Sequence, residues 1–161
     1  MIVHIAEGIE LDDDPERVDP AAVHAFLAGE DAYWVEDRPL EMVRLTIERA
    51  ARVLGAYDGG ALIGFARVVS DSLTFAYLDD VFVSEPYRGR GIGTALVREL
   101  VSTEPWEGLN WVLFTSDGHA FYERFGFFEP REHVMLRFGG DGDEGHPPVD
   151  GGLGAGTPET P

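Results

Sequence analysis

Two stretches of this chain carry residues whose types and spacing could do chemistry. In "EPYRGRGIGT", residues 85–94, Arg88 and Arg90 alternate with Gly89, Gly91 and Gly93 just before an apolar helical run. Glycine permits positive φ and close backbone approach, so successive N–H groups can converge on an anion while the guanidiniums add charge at the same spot. Two nucleotide loops are excluded. A Walker A loop needs Gly-Lys-Ser/Thr and the chain has no lysine, and a dinucleotide fingerprint needs a further Gly or Ala where Thr94 or Leu96 stands. The second stretch is "YLDDVFV", in which Asp79 and Asp80 interrupt an otherwise apolar strand, where ionised groups are costly. Strict alternation puts Asp79 with Tyr77, Val81 and Val83 on one face and Asp80 with Leu78 and Phe82 on the other, unless a bulge intervenes.

Composition limits what these residues can serve. The 161 residues have 44 % hydrophobic content, enough for one compact core, and a formal net charge of −18. A negative surface repels phosphate backbones and favours cationic partners, so nucleic acid is not expected. No apolar stretch reaches the ~20 residues of a membrane span and the N-terminus lacks the pattern of a signal peptide, so the expectation is a cytoplasmic protein with no membrane partner. Without cysteine there is no disulfide framework, thiolate metal site or cysteine nucleophile. The histidines show no ligand spacing beyond His119 and Glu123, one helical turn apart, which read as an exposed pair; no metal is expected.

The elements that would position the two stretches follow from local signals. Asp19 before Pro20 starts a helix in "DPAAVHAFLAGE", and "RPLEMVRLTIERA" reads as a second. Two apolar runs around Asp58-Gly59-Gly60 read as an antiparallel hairpin, followed by a strand in "TFAYLDDVFVS". Ile92, Leu96 and Leu100 share a helix face, "NWVLFTS" is a strand, and "DGHAFYERFG" is a short helix with Asp117 as N-cap and Gly126 as stop. Strands are expected near "FFE" and "HVMLRF", giving the order ααβββαβαββ. Residues 1–138 form one domain. Residues 139–161, crowded with glycine and proline, read as a disordered acidic tail.

The pattern Arg/Gln-x-x-Gly-x-Gly/Ala is met by Arg88, Gly91 and Gly93, and Tyr122, Gly126 and Phe127 complete a Tyr-x-x-x-Gly-Phe further on. With this element order, the chain resembles the GNAT superfamily of acyl-CoA-dependent N-acetyltransferases over most of residues 1–138. The resemblance implies an α/β (α+β) fold: a mixed, mostly antiparallel sheet with a central splayed parallel strand pair, flanked by about four helices.

It also implies a cofactor, acetyl-CoA, and an amine-bearing acceptor. The backbone of Arg88, Gly89, Arg90, Gly91, Ile92, Gly93 and Thr94 would bind the coenzyme A pyrophosphate, and the strand edge at Val81, Phe82 and Val83 would take the pantetheine arm as an added strand. Tyr122 would be the general acid toward the departing thiolate; by helical spacing alone it would be core beside Phe121 and Phe125. Asp80 would be the base, directly or through water, or would cap backbone N–H groups around the splay. Many relatives of this type carry an asparagine seven residues before the tyrosine, where Thr115 stands and its hydroxyl could replace part of that bonding. Tyr33 and Trp34, Arg67 and Asp79 are candidate acceptor-binding residues, Arg67 for an acceptor carboxylate; Tyr33 and Trp34 read equally as core aromatics, and Arg67 as a solvent-facing residue of the hairpin. Two functions are compatible with these residues: an N-acetyltransferase working by direct attack in a ternary complex, and a non-catalytic acyl-CoA-binding sensor or partner subunit. A homodimer is compatible with either.

Overall fold

The structure is a computed structural model that describes residues 2–6, 8–29 and 38–130. Its centre is a six-stranded sheet in the order β1-β2-β3-β4-β5-β6, formed by β1 (Ile2–Ala6), β2 (Ile9–Asp12), β3 (Arg52–Asp58), β4 (Ala61–Ser70), β5 (Phe75–Val83) and β6 (Asn110–Val112). Every neighbouring pair is antiparallel except β5 and β6. Helices α1 (Pro20–Leu27) and α2 (Leu40–Glu48) cover one face, and α3 (Ile92–Val101) the other; α4 (His119–Tyr122) follows β6 and runs into a 3-10 turn, Glu123–Phe125.

Local chemistry explains most of these boundaries. Asp19 caps α1 by accepting from the Ala21 N–H at 2.9 Å, with Pro20 supplying a preset φ at the first helical position. Positive φ at Gly59 and Gly60 closes the β3–β4 hairpin. Strands β3 and β4 lie between the two helical layers, so both of their faces are buried and they read as nearly continuous apolar runs rather than alternating ones. Leu54, Ala66, Val68, Leu78, Leu96 and Leu100 pack under α3, while Val23, Leu27, Val43, Ile47, Phe65 and Phe82 pack under α1 and α2. In the second layer Phe26 stacks on Phe82 with ring centroids 3.8 Å apart.

Two features decide where a site can form. The first is a bulge in β5: Phe65 pairs with Phe82 and Arg67 with Asp79, so Ala66 alone faces both Asp80 and Val81, and Asp80 has φ of 50°. The extra residue inverts the strand. Ala76 and Leu78 belong to the α3 layer, but beyond the bulge it is Val81 and Val83 that pack against that layer, while Phe82 joins the opposite one. The second feature is the end of the parallel pair. Pairing of β5 with β6 stops at Tyr77↔Val112, whereas β5 continues to Val83, so the strands part and leave the later half of β5 without a β6 partner among the described residues.

Three differences from the sequence reading stand out. The hairpin of β1 and β2 was not expected; Val3, Ile5, Ile9 and Leu11 do alternate around Gly8, which turns at φ of 77°. No strand forms over residues 127–130, where "FFE" was expected to make one. The N-cap of α4 is Gly118 rather than Asp117, because the Thr115 hydroxyl accepts from the Gly118 N–H at 2.9 Å. The strand expected at "HVMLRF" and the tail 139–161 lie outside the described residues. If Phe82 pins the post-bulge half of β5 to the helices, Phe82→Ala should cost about 3–5 kcal/mol in urea unfolding. A loss under about 1 kcal/mol would show that the stack with Phe26 contributes little.

Candidate active site

The glycine-arginine loop sits where β5 hands over to α3. Gly91 is the N-cap of α3, with φ of 81° and no side-chain cap, so the N–H groups of Ile92, Gly93 and Thr94 open the helix without intrahelical acceptors; the first such bond is Ala95 N–H to Gly91 C=O at 2.9 Å. A Cβ at Gly89 or Gly91 would meet nothing within 4 Å, so glycine is required there for its positive φ and not for space. Arg88 folds back to donate from Nε to the Val83 carbonyl at 3.0 Å. Arg90 lies over the Tyr87 ring at 5.1 Å, and the Tyr87 hydroxyl donates to Asp58 Oδ2 at 3.0 Å, which ties the loop to the end of β3. Free N–H groups, the positive helix end and two guanidiniums together fit a diphosphate. The Val83 carbonyl is already held by Arg88, which leaves the strand-edge role expected of Val81, Phe82 and Val83 to their other backbone groups.

On the α1/α2 face of the sheet, the bulge gathers a buried ionic cluster. Arg67 donates from Nε to Asp80 Oδ2 at 2.5 Å and from Nη2 to Asp79 Oδ2, and Arg38, which precedes α2, donates from Nη1 to Asp80 Oδ2 at 2.7 Å. Asp79 Oδ1 accepts the Asp80 N–H at 2.9 Å, holding the positive-φ residue in place. The Asp80 side chain is 1 % exposed, and its Oδ1 has no hydrogen-bond partner among the described residues. The alternation expected to separate Asp79 from Asp80 therefore gives way to the bulge, which brings both carboxylates onto one guanidinium. Arg67, read from the sequence as solvent-facing or as a holder of an acceptor carboxylate, is instead buried and committed to these two aspartates.

Protonation follows from burial and charge. Burial pushes the Asp79 carboxyl above the ordinary carboxylate range, and the neighbouring Asp80 charge adds to the effect. The Tyr77 phenol is raised for the same reason, with Asp79 as the nearby negative charge. Burial works against the Arg67 charge, but the two carboxylates outweigh it and hold the guanidinium above its usual value.

Tyr122 is half-buried against the α3-side core, edge-on to Phe121 with centroids 4.9 Å apart and to Phe127 at 5.9 Å. A Cβ on Gly93 would stand 3.6 Å from Val83 Cγ2 and 3.7 Å from Phe121 Cζ, so the end of β5, the first turn of α3 and α4 converge at Phe121, whose ring Tyr122 meets edge-on. Gly118 was missed in the sequence: a Cβ there would fall 2.7 Å from Thr115 Oγ1 and 2.8 Å from Tyr122 Cε2, so it is the absent side chain that lets α4 close over Thr115. The Thr115 hydroxyl is itself occupied with the Gly118 N–H. His119 meets Glu129 at 3.6 Å rather than the expected Glu123. Tyr33 and Trp34 lie outside the described residues. A cavity of about 750 Å³ opens by the far end of α3, around Arg52, Glu99, Thr103 and Trp106, and shares no residue with the loop or the cluster.

Fold and site together define an α/β domain whose only parallel pair, among the described strands, parts beside an uncapped, arginine-flanked helix N-terminus. A family model described as the acetyltransferase (GNAT) domain matches residues 49–129, and the chain belongs to that family. A crystal structure of a GNAT-family protein from Xanthomonas campestris pv. campestris is 37 % identical, with a TM-score of 0.74 over 81 % of this chain and 92 % of that one. A structure of a Clostridium acetobutylicum protein with acetyl-CoA shares the fold, at 17 % identity and a TM-score of 0.61 over 80 % of this chain and 96 % of that one. An uncharacterized N-acetyltransferase of Gracilaria tenuistipitata var. liui is 29 % identical over 111 residues, which are 65 % of this chain and 60 % of the relative. The chain thus spans about 60 % of the length of the curated relatives of this type.

The raised Asp79 carboxyl makes stability pH-dependent. Because the folded chain holds this proton more tightly than the unfolded chain, the contribution is present below the unfolded pKa of ~3.9 and is lost as pH rises through the folded value. Asp79→Asn should therefore gain stability relative to the native protein as pH rises above about 4 in urea unfolding. A difference that stays constant above that pH would show that Asp79 titrates as it does in the unfolded chain.

Proposed function

We propose that the protein transfers an acetyl group from acetyl-CoA to a primary amine of a small molecule or peptide by direct attack in a ternary complex. The observation that carries this reading is the parting of β5 and β6 beside the uncapped start of α3, which offers an unpaired strand edge and an anion site in one continuous path. Ile92, Gly93 and Thr94 hold the diphosphate through their N–H groups, with Arg88 and Arg90 supplying charge that an otherwise acidic surface denies to an anion. The β5 edge from Val81 to Val83 orients the extended arm. Acetyl-CoA supplies the thioester, at which a C–N bond forms and the C–S bond breaks.

The proton inventory then falls to two side chains. Tyr122, packed edge-on to the Phe121 ring that closes on the first turn of α3, gives its proton to the departing thiolate; a phenol with an ordinary pKa of ~10 does so with help from orientation, for a contribution of about 10². The amine must lose a proton before it attacks. Asp79, with its raised carboxyl, suits that role through water by loosening its bond to Arg67, whereas Asp80, the base expected from sequence, is more deeply buried, is held by two guanidiniums and acts as an anchor. Without a cysteine nucleophile the reaction needs no acyl-enzyme step.

The test is thiol release from acetyl-CoA across amines, dipeptides and polyamines, with calorimetric titration of acetyl-CoA alongside. Binding and release with one amine class are expected. Binding without release on any acceptor would return the sensor reading, and no binding would remove the reading altogether. Tyr122→Phe should lower kcat about 10²-fold with acetyl-CoA affinity unchanged, and an unchanged kcat would leave Tyr122 a core aromatic.

A further inference from the structure

The cluster at the bulge contains a mismatch that bears on the acceptor. Asp80 Oδ2 receives two guanidiniums, Arg67 and Arg38, while Oδ1 of the same buried carboxylate receives no donor among the described residues. A carboxylate oxygen that has left water without a donor is costly, and buried groups of this kind are rarely left so. The two guanidiniums are not equivalent. Arg67 is 8 % exposed and bonds both aspartates; Arg38 is 20 % exposed and, among the described residues, bonds Asp80 through Nη1 alone. Arg38 lies before α2, so its side chain can leave without breaking a helical bond.

The surroundings favour a cation carried on an apolar stem. Tyr77 and Asp79 share a face of β5 by alternation, on the α1/α2 side with Arg67. Phe114 meets the Tyr77 ring edge-on at 5.6 Å, just past the point where β5 and β6 part, and is 54 % exposed. Aromatic surface beside paired carboxylates suits an alkylammonium, whose compact head has three donors where a guanidinium has a planar fork. Charge balance sets the stoichiometry: two arginines and two aspartates are formally neutral, so a cation enters at lowest cost when Arg38 departs to solvent.

We propose that Asp80 is an ammonium subsite for the acceptor, that Arg38 is the counter-ion an incoming acceptor displaces, and that the acceptor therefore carries a second cationic amine besides the one acetylated. This rests on the acceptor's being an amine, as proposed above. An ammonium held at Asp80 keeps its proton and cannot attack, so the nucleophile is the acceptor's other amine. Diamines, polyamines and lysine-type side chains with a free α-amine fit; monoamines and neutral amides do not.

The experiment is calorimetric titration of 1,4-diaminobutane, with 1-butanol as a neutral control, into the full chain. Arg38→Ala should bind diaminobutane about fivefold tighter than the native protein, because a partly exposed competing ion pair has been removed. Asp80→Asn should weaken binding more than about tenfold, alone or combined with Arg38→Ala. Asparagine tolerates the positive φ at this position, so the change isolates the charge. Arg38→Gln serves as a second variant, with thermal unfolding checked for each. Affinity that is equal or weaker in both Arg38 variants, unaffected by Asp80→Asn, or undetectable throughout overturns the proposal. Its failure is separable from that of the transferase reading: thiol release with monoamines alone refutes the subsite, while diaminobutane binding without thiol release refutes the transferase.

Discussion

The buried pairing of Arg67 with Asp79 and Asp80 is the constraint on which the rest of the structure depends. Without the extra residue in β5, the alternation that places Ala76 and Leu78 under α3 would carry the Asp80 carboxylate into that apolar layer, where an ionised group has no compensation. The bulge turns Asp80 to the opposite face, where Arg67 from β4 meets it, and the cost of the positive φ is offset by the Asp79 carboxylate that accepts the Asp80 N–H. The same inversion sends Phe82 into the α1/α2 layer and leaves Val81 and Val83 facing α3 and α4. One inserted residue thus sets both sides of the site.

Charge is distributed to the same end. The chain carries −18 overall, yet Arg88 and Arg90 flank the one α3 terminus whose N–H groups are open, and the anchoring of Arg88 to Val83 and of Arg90 over Tyr87 keeps that positive charge local. On the other face of β5 the arginines neutralise aspartates instead of presenting charge. The two faces of β5 thus carry opposite electrostatic arrangements, open N–H groups with arginines on one and paired carboxylates on the other.

What the sequence made legible was local. Asp19-Pro20, Asp58-Gly59-Gly60, the period of Ile92, Leu96 and Leu100, and the Arg88-Gly91-Gly93 spacing each carry their signal within a few residues, and each led to the right element. The β1–β2 hairpin had such a signal too, in Val3, Ile5, Ile9 and Leu11 around Gly8. The bulge was foreseeable only as an alternative, since alternation cannot say where an extra residue is inserted. Arg38 was invisible as a partner of Asp80 because 42 residues separate them, and Gly118 matters only once α4 has folded Tyr122 back over Thr115.

In the proposed function, the β5 edge beyond its β6 partner and the open turn of α3 form one continuous binding path for acetyl-CoA. Hydrogen exchange with and without acetyl-CoA tests it most directly. The amides of Val81, Val83 and Ile92 to Thr94 should slow together on binding, while those around the Arg52 cavity do not change. Slowing at that cavity with no change at β5 and α3 would contradict it.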